Sequence, residues 1–596
     1  MARLGQLLRE AREKKGSSWE EIEAATGLWP DYVRALEAGK YGRFASIGHL
    51  RSALRLYARY LELDVKEVLA LWQQSASGEG TIATDTQGDP PRVWYWNLMI
   101  ALMVTLTVGV LGMIGLYGFR WMRLRGIGDT GAATMGPGGT VPVAAPTPVP
   151  SPTPYSPISS TDLPRYTITA TLDYAGHGIA VEERIDYANR TGSTLSDIVL
   201  NVFPNHQPGV FSLQGLYLEF GKGRVTTGHS LEGMTLHVPL PSELESGQVV
   251  TLFLDFELDL SHIDPDDSFT RGSLGWSDRV MDVGHWYPAL APLLPDGSWY
   301  SFDYHYIGDP YVMEEADYDV RIQAADDVTV AGGGELEREG NSWHFRMAQA
   351  RSFAFAASDE YVSHTTSVDG VAVTSYYFPE HEGAGLDVAR LAGEALETFE
   401  EEFGVAYPYQ DYRVAETEFA GGMEFSGLSF LGSLWYSTYA GGVRSQLVAL
   451  AVHEVSHQWW YGVVGSDQVR EPWLDEAMAT FSELIFYEQR YPHDELWLWD
   501  FEVLNWPRGG PIDGSIYDYA DEPSYMNAVY RTGALFLADL RQLLGYQQFG
   551  EFLQEYCRSQ SHKIAGAVDF FSILSGHTDQ DVSPLLEEYF AHPPVE

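Results

Sequence analysis

His453-Glu454-Val455-Ser456-His457 carries more potential chemistry than any other stretch of the sequence, and Glu476 follows nineteen positions after the second histidine. On a helix, His453 and His457 stand one turn apart and point the same way. Two imidazole nitrogens and one carboxylate suit Zn²⁺, and three protein ligands leave a fourth position for water. Glu454 then sits beside the metal without binding it, placed to take a proton from that water. The plain alternative is a surface helix that happens to carry two histidines. The flanks argue against it, because Leu447, Val448, Leu450, Ala451, Val452 and Val455 make the helix apolar and therefore buried. Buried polar groups without partners are costly, so two histidines and a glutamate there need a reason. Residues 473–480, WLDEAMAT, open a second helix behind Pro472 and bring Glu476 back towards the histidine pair.

The spacing of His453, Glu454, His457 and Glu476 resembles that of the M1 family of zinc aminopeptidases, whose pattern is HExxH, eighteen residues, then Glu. WLDEAMATF is similar to the family's WLNEGFATY-type segment, with Asp475 where Asn is usual. Upstream, residues 419–428 (FAGGMEFSGL) resemble FAAGAMENWGL; downstream, residues 529–534 (VYRTGA) resemble VYEKGA. The resemblance implies one zinc ion per chain, held by His453, His457 and Glu476, with Glu454 as general base. It implies that Tyr530 donates a hydroxyl to the carbonyl oxygen as it becomes an oxyanion. Glu424 would bind the free α-ammonium of the substrate, the feature that makes a peptidase an aminopeptidase. Gly421, Gly422 and Met423 would lie along the peptide, their backbone groups pairing with it as an added strand, an approach that glycines permit. Phe425 and Ser426 replace the usual Asn and Trp, and Arg531 and Thr532 replace Glu and Lys.

The elements that must position these residues belong to a multidomain chain of 596 residues. Residues 1–75 read as an all-α domain. An amphipathic helix spans 4–14, a second spans 19–26 with Ser18 and Glu21 as a capping box, and a third runs from Pro30 to about 38, ended by Gly39. Helices over 47–61 and 65–72 follow. The helix-turn-helix spacing resembles the cytoplasmic domain of the bacterial cell-shape protein RodZ. Residues 1–92 hold thirteen basic and thirteen acidic side chains. A DNA reader shows a basic face, so this balance favours docking to a protein partner in the cytoplasm and argues against nucleic acid.

Residues 76–92 form a polar linker. The stretch 94–119 then runs 26 residues without a charge, long enough to span a bilayer, with Trp94, Tyr95, Trp96, Tyr117 and Trp121 as interfacial aromatics. A single transmembrane helix at 93–120 is expected, too far from the N-terminus for a cleaved signal peptide. Arg120, Arg123 and Arg125 follow it, and by themselves place the C-terminal side in the cytoplasm. The resemblance to RodZ implies the reverse, as does the Pro-, Ser- and Thr-rich stretch at 121–164, a stalk of the kind that lifts an exported domain off a membrane. The favoured arrangement is N-terminal domain inside, peptidase outside.

From 165 the period changes to two. Tyr166, Ile168, Ala170, Leu172 and Tyr174 alternate with polar residues, as do Leu252, Leu254, Phe256, Leu258 and Leu260, the mark of half-buried strands. Residues 165–380 are expected to be an all-β domain, saddle-like by the resemblance, and 381–596 a thermolysin-like α+β catalytic domain whose first helix spans 386–403. Only 66 residues follow Tyr530, too few for the large helical C-terminal domain of many M1 enzymes, so a more open cleft is expected. Beyond residue 125 the chain holds 21 basic and 70 acidic residues, a charge that suits either basic substrates or an acidic surface adapted to its surroundings. Cys557 is the single cysteine, which excludes an intrachain disulfide and a cysteine zinc site. The expected function is a membrane-anchored zinc aminopeptidase. An endopeptidase of the same fold, and a membrane scaffold whose peptidase-like domain only binds peptides, are the alternatives.

Overall fold

The computed structural model describes residues 163–593, apart from 221–222, 264–272, 295 and 420, and, nearer the N-terminus, residues 2–17, 30–40 and scattered positions up to 72. The expected transmembrane helix at 93–120, its flanking linkers up to 162, and most of the helices expected at 19–26, 47–61 and 65–72 lie outside the described residues. Among the described residues no helix is long and apolar enough to cross a membrane.

Helix α1 (Ala2–Lys15) and helix α2 (Pro30–Ala38) stand where their periodicity puts them. Pro30 opens α2, as proline does where a backbone N–H would lack a partner, and Gly39 stops it at φ 67°. Leu4 and Leu8 of α1 bury against Val33 and Leu36 of α2. Glu37 is buried with them. It accepts from Arg12 Nε at 2.6 Å and from the Tyr57 hydroxyl at 2.6 Å, so this acidic side chain is used inside the domain.

Strands β1 (Arg165–Asp173) and β2 (Gly178–Ala188) pair antiparallel, with Ile168 opposite Glu183. Strand β3 (Val249–Asp259) covers the other side of β2, and strand β4 (Ala316–Gln323) runs parallel to β1. They are the centre of an eight-stranded sheet completed by 342–350 and 335–339 at one end and 211–220 and 223–225 at the other. The alternation read from the sequence is the burial pattern: Tyr166, Ile168, Ala170 and Leu172 face the core, as do Leu252, Leu254, Phe256 and Leu258. Two four-stranded sheets complete the β domain.

Strands β5 (Val362–Val368) and β6 (Val371–Tyr377) were expected to continue this domain. They instead hydrogen-bond into a second sheet with β7 (Asp411–Thr417), β8 (Gly422–Phe425) and β9 (Leu428–Gly432), in the order β5-β6-β7-β9-β8. Period two identifies a strand and its buried face but not the sheet it joins. Strand β8 lies at the edge of this sheet, paired among the described residues only with β9.

Behind the sheet, helix α3 (Glu382–Phe403) buries Val388, Leu391, Leu396, Phe399 and Phe403, an apolar stripe at helical spacing, and Gly404 ends it at φ 64°. It packs on helix α4 (Gln446–Ser456), which packs in turn on helix α5 (Trp473–Arg490). Phe403 meets Trp459 and Trp460 edge-on, fixing the segment after α4 in the core. Arg351, only 2% exposed, ties the β domain to this region: its guanidinium donates to the carbonyls of Met313, Gly462 and Lys563.

Candidate active site

Ser445 caps α4, its side chain accepting from Leu447 N at 3.2 Å, and nearly every residue from Leu447 onwards is buried. His453 occupies the last turn. The helix closes at Ser456, and His457 is the residue that caps it, still with helical angles (φ −64°, ψ −12°). The two rings therefore remain one turn apart, with centroids 4.9 Å from each other. Glu476 sits in the first turn of α5, directly behind Pro472, where the helix dipole favours a carboxylate.

Glu476 Oε2 lies 3.2 Å from His453 Nε2 and 3.6 Å from His457 Nε2. Tetrahedral zinc with ligands at about 2.0–2.1 Å sets its donor atoms roughly 3.3 Å apart, so the three residues fit the ion. The far sides of both rings are already committed. His453 Nδ1–H donates to Glu483 Oε1 at 2.8 Å; His457 Nδ1–H is shared between Asp475 Oδ1 at 2.8 Å and the Trp460 carbonyl at 2.9 Å. That fixes the tautomer that turns both Nε2 lone pairs inwards. Burial pushes the Glu476 carboxyl up, yet when the imidazoles carry protons at Nε2 their hydrogen bonds outweigh it and hold the group well below the usual range.

A cavity of about 170 Å³ opens over these ligands. Glu454, 4% exposed, lines it, and its Oε2 has no hydrogen-bond partner among the described residues. Glu424 also lines it, 4% exposed, accepting from Gln468 Nε2 at 3.0 Å. Burial raises the carboxyls of both Glu424 and Glu454, and the neighbouring acids Asp475 and Glu476 add to it. Gly422 and Met423 of edge strand β8, with Gly421 just before it, form one wall. A Cβ at Gly422 would collide with the Glu454 carboxylate, so the glycine is what lets the strand pass this close. Tyr530 is half-buried on the opposite side, its ring stacked on His453 at 5.8 Å between centroids. It rides on a wide π-helical turn, Met526–Thr532, a local form frequent at functional sites. Burial, with Glu476 next, pushes its phenol well above the ordinary range.

All nine residues singled out in the sequence thus face one cavity. Four supporting residues were not foreseen. Asp475 orients His457, and its position immediately before Glu476 was the available signal. Glu483 orients His453 and lies two turns after Glu476 on the same face of α5. Gln468 bridges Glu424 and Asp475, and Gln458 clamps the β8–β9 turn to α4 by donating to the Phe425 carbonyl and accepting from Gly427 N. The latter two carry no sequence signal. Phe425 and Ser426, the departures from the family pattern, do structural work. Phe425 is buried against Phe430 and His285, and Ser426 Oγ accepts from Arg351 N at 3.0 Å.

Residues 389–589 match the Peptidase family M1 domain. The chain carries an M1 peptidase domain. Residues 7–68 match a helix-turn-helix domain. Aminopeptidase N of Lactobacillus helveticus is 27% identical over 296 residues, covering 45% of this chain and 34% of that protein. Aminopeptidase M1 of Arabidopsis thaliana is 26% identical over 247 residues, covering 39% and 28%. This chain therefore spans about a third of the length of these curated relatives. The crystal structure of an M1 zinc metallopeptidase from Deinococcus radiodurans superposes with a TM-score of 0.52 at 16% identity, over 73% of this chain and 94% of that one. That likeness extends the shared fold beyond the matched domain to the β domain.

Proposed function

We propose that this chain is a zinc-dependent aminopeptidase, anchored in a membrane through the apolar stretch 94–119. The observation that carries the reading is Glu424, a buried carboxylate on edge strand β8, facing the same cavity as Glu454 and the three ligands. His453, His457 and Glu476 would hold a zinc ion, which would supply Lewis acidity there. Glu454 Oε2 takes the proton of the attacking water and passes it to the leaving amine. Tyr530 donates its hydroxyl to the carbonyl oxygen as charge develops there, a contribution of roughly 3–4 kcal/mol for one such donor. Glu424 holds the α-ammonium of the substrate, so that chain length on that side is fixed at one residue. The open edge of β8 offers backbone groups to the rest of the peptide.

Localisation follows the stalk: the helix-turn-helix domain inside, docking a protein, and the peptidase outside. The balanced charge of residues 1–92 supports protein docking. The test is a panel of aminoacyl-fluorophores, each with a free and an N-acetylated amine, given to the zinc-loaded protein. Cleavage of the free-amine forms alone is expected. Equal cleavage of the acetylated forms would transfer the protein to the endopeptidase class.

A further inference from the structure

The cavity contains more acceptors than peptide hydrolysis needs. Going along β8 from Glu424 back to Gly422 and Gly421 leads away from the amine-binding end, towards the side where the leaving residue sits. Gly422 packs there on Leu450 and Glu454 of α4, and Gln446, Thr480, Glu483 and Glu502 line the same cavity. Thr480 is 6% exposed and Glu483 4% exposed. Thr480 Oγ1, Glu483 Oε2 and Glu502 Oε1 are all buried and lack a hydrogen-bond partner among the described residues. Native interiors leave few such atoms, and three lining one wall of one cavity call for a ligand rich in N–H donors.

The wall is built to stay as it is. Thr480 and Glu483 project from α5 one and two turns after Glu476, and Glu483 is anchored through its other oxygen to His453. Glu502 comes from a second π-helical turn, Trp499–Leu504. The nearby cation, Arg531, is held aside: Nε donates to the Glu502 carbonyl at 3.0 Å, Nη1 to Asn527 Oδ1 at 2.9 Å, and its guanidinium lies 4.1 Å over the Trp506 ring. It makes no close ion pair with either carboxylate, although its charge acts on both from a distance.

We infer that Thr480, Glu483 and Glu502 form the subsite for the residue just after the cleaved bond, and that it selects a lysine or arginine side chain there. An ammonium or guanidinium satisfies the three orphaned acceptors with charge-assisted hydrogen bonds, whereas an aliphatic side chain leaves them buried and unpaired. The inference rests on the peptidase reading above and adds the second-position preference.

The test compares kcat/KM of the zinc-loaded full chain for Ala-Lys-amide, Ala-norleucine-amide and Ala-Glu-amide. Norleucine keeps the lysine stem and removes the ammonium. The wild type is expected to favour lysine over norleucine by at least about tenfold. Glu502→Gln should cut that ratio several-fold, and Glu502→Lys should invert it and make the Glu peptide the better substrate, a gain no misfolded protein would show. A wild-type ratio near one overturns the subsite without recourse to any variant, as does a ratio that neither substitution moves. Failure to cleave all three peptides would overturn the peptidase reading itself, and the subsite with it.

Discussion

At the scale of single residues, the site divides into groups that bind, groups that move a proton and groups that hold others in place. Glu454→Gln removes the proton acceptor and leaves every metal ligand intact, so activity should fall by about 10²–10⁴-fold while the zinc content measured by elemental analysis stays at the wild-type value. Asp475→Ala touches a positioning residue. It leaves His457 Nδ1 with the Trp460 carbonyl alone and should weaken zinc binding by about 10–100-fold, measurable by competition with a chelating dye. Glu183 is a different case, remote from the chemistry. It faces the core of the eight-stranded sheet between Ile168 and Leu254, with both carboxylate oxygens unpartnered among the described residues, and burial raises its carboxyl well above the ordinary range. The folded state therefore keeps a proton that the unfolded chain gives up above about pH 4.5, and this residue costs more stability as pH rises from there. Glu183→Leu is expected to stabilise the β domain by about 1–3 kcal/mol, with the larger gain in melting temperature at pH 8 than at pH 5.

At the scale of elements, the positions of β8, α4 and α5 relative to one another decide everything. Strand β8 reaches the base only because Gly422 has no side chain. Gly422→Ala would press a methyl against Glu454 and should lower kcat by about 100-fold or more, with zinc retained. Much of this was legible beforehand. The apolar run through α4, the Pro472 start of α5 and the glycine pair of β8 each showed in the sequence, because local chemistry dictates them. The His pair and Glu476 were legible for the same reason, since a helix turn fixes their direction. Partnerships across elements were not. Nothing local says that Gln458 binds the β8–β9 turn, that Gln468 spans from Glu424 to Asp475, or that β5 and β6 leave the first sheet for the second. Those contacts depend on where two separately folded pieces meet. The π-helical turns carrying Tyr530 and Glu502 were equally hidden, since periodicity over six or seven residues does not separate π from α.

At the scale of the whole molecule, charge and domain contact set the context. The net charge of the chain is −46, concentrated beyond residue 125, and a field of that sign draws in cationic peptides at low salt. Raising salt from about 20 mM to about 500 mM shortens the screening length, and kcat/KM for Ala-Lys-amide should fall several-fold while that for Ala-norleucine-amide changes little. The junction between the β domain and the catalytic core rests in part on Arg351, whose removal would take a donor from each of the carbonyls of Met313, Gly462 and Lys563. The broad division into a β domain and a helical catalytic region could be read from the switch between period two and period 3.6, whereas Arg351 as their connector could not, because an isolated arginine in sequence gives no sign of burial. The central claim is that three ligands from two helices hold one zinc ion and that this ion powers removal of an N-terminal residue. The most direct measurement is hydrolysis of leucyl-fluorophore by the full chain before chelation, after chelation, and during titration with zinc. The account predicts loss of activity on chelation and full recovery at one equivalent of zinc per chain. Activity indifferent to the chelator, or a zinc-bound protein that hydrolyses no free-amine substrate, would contradict it.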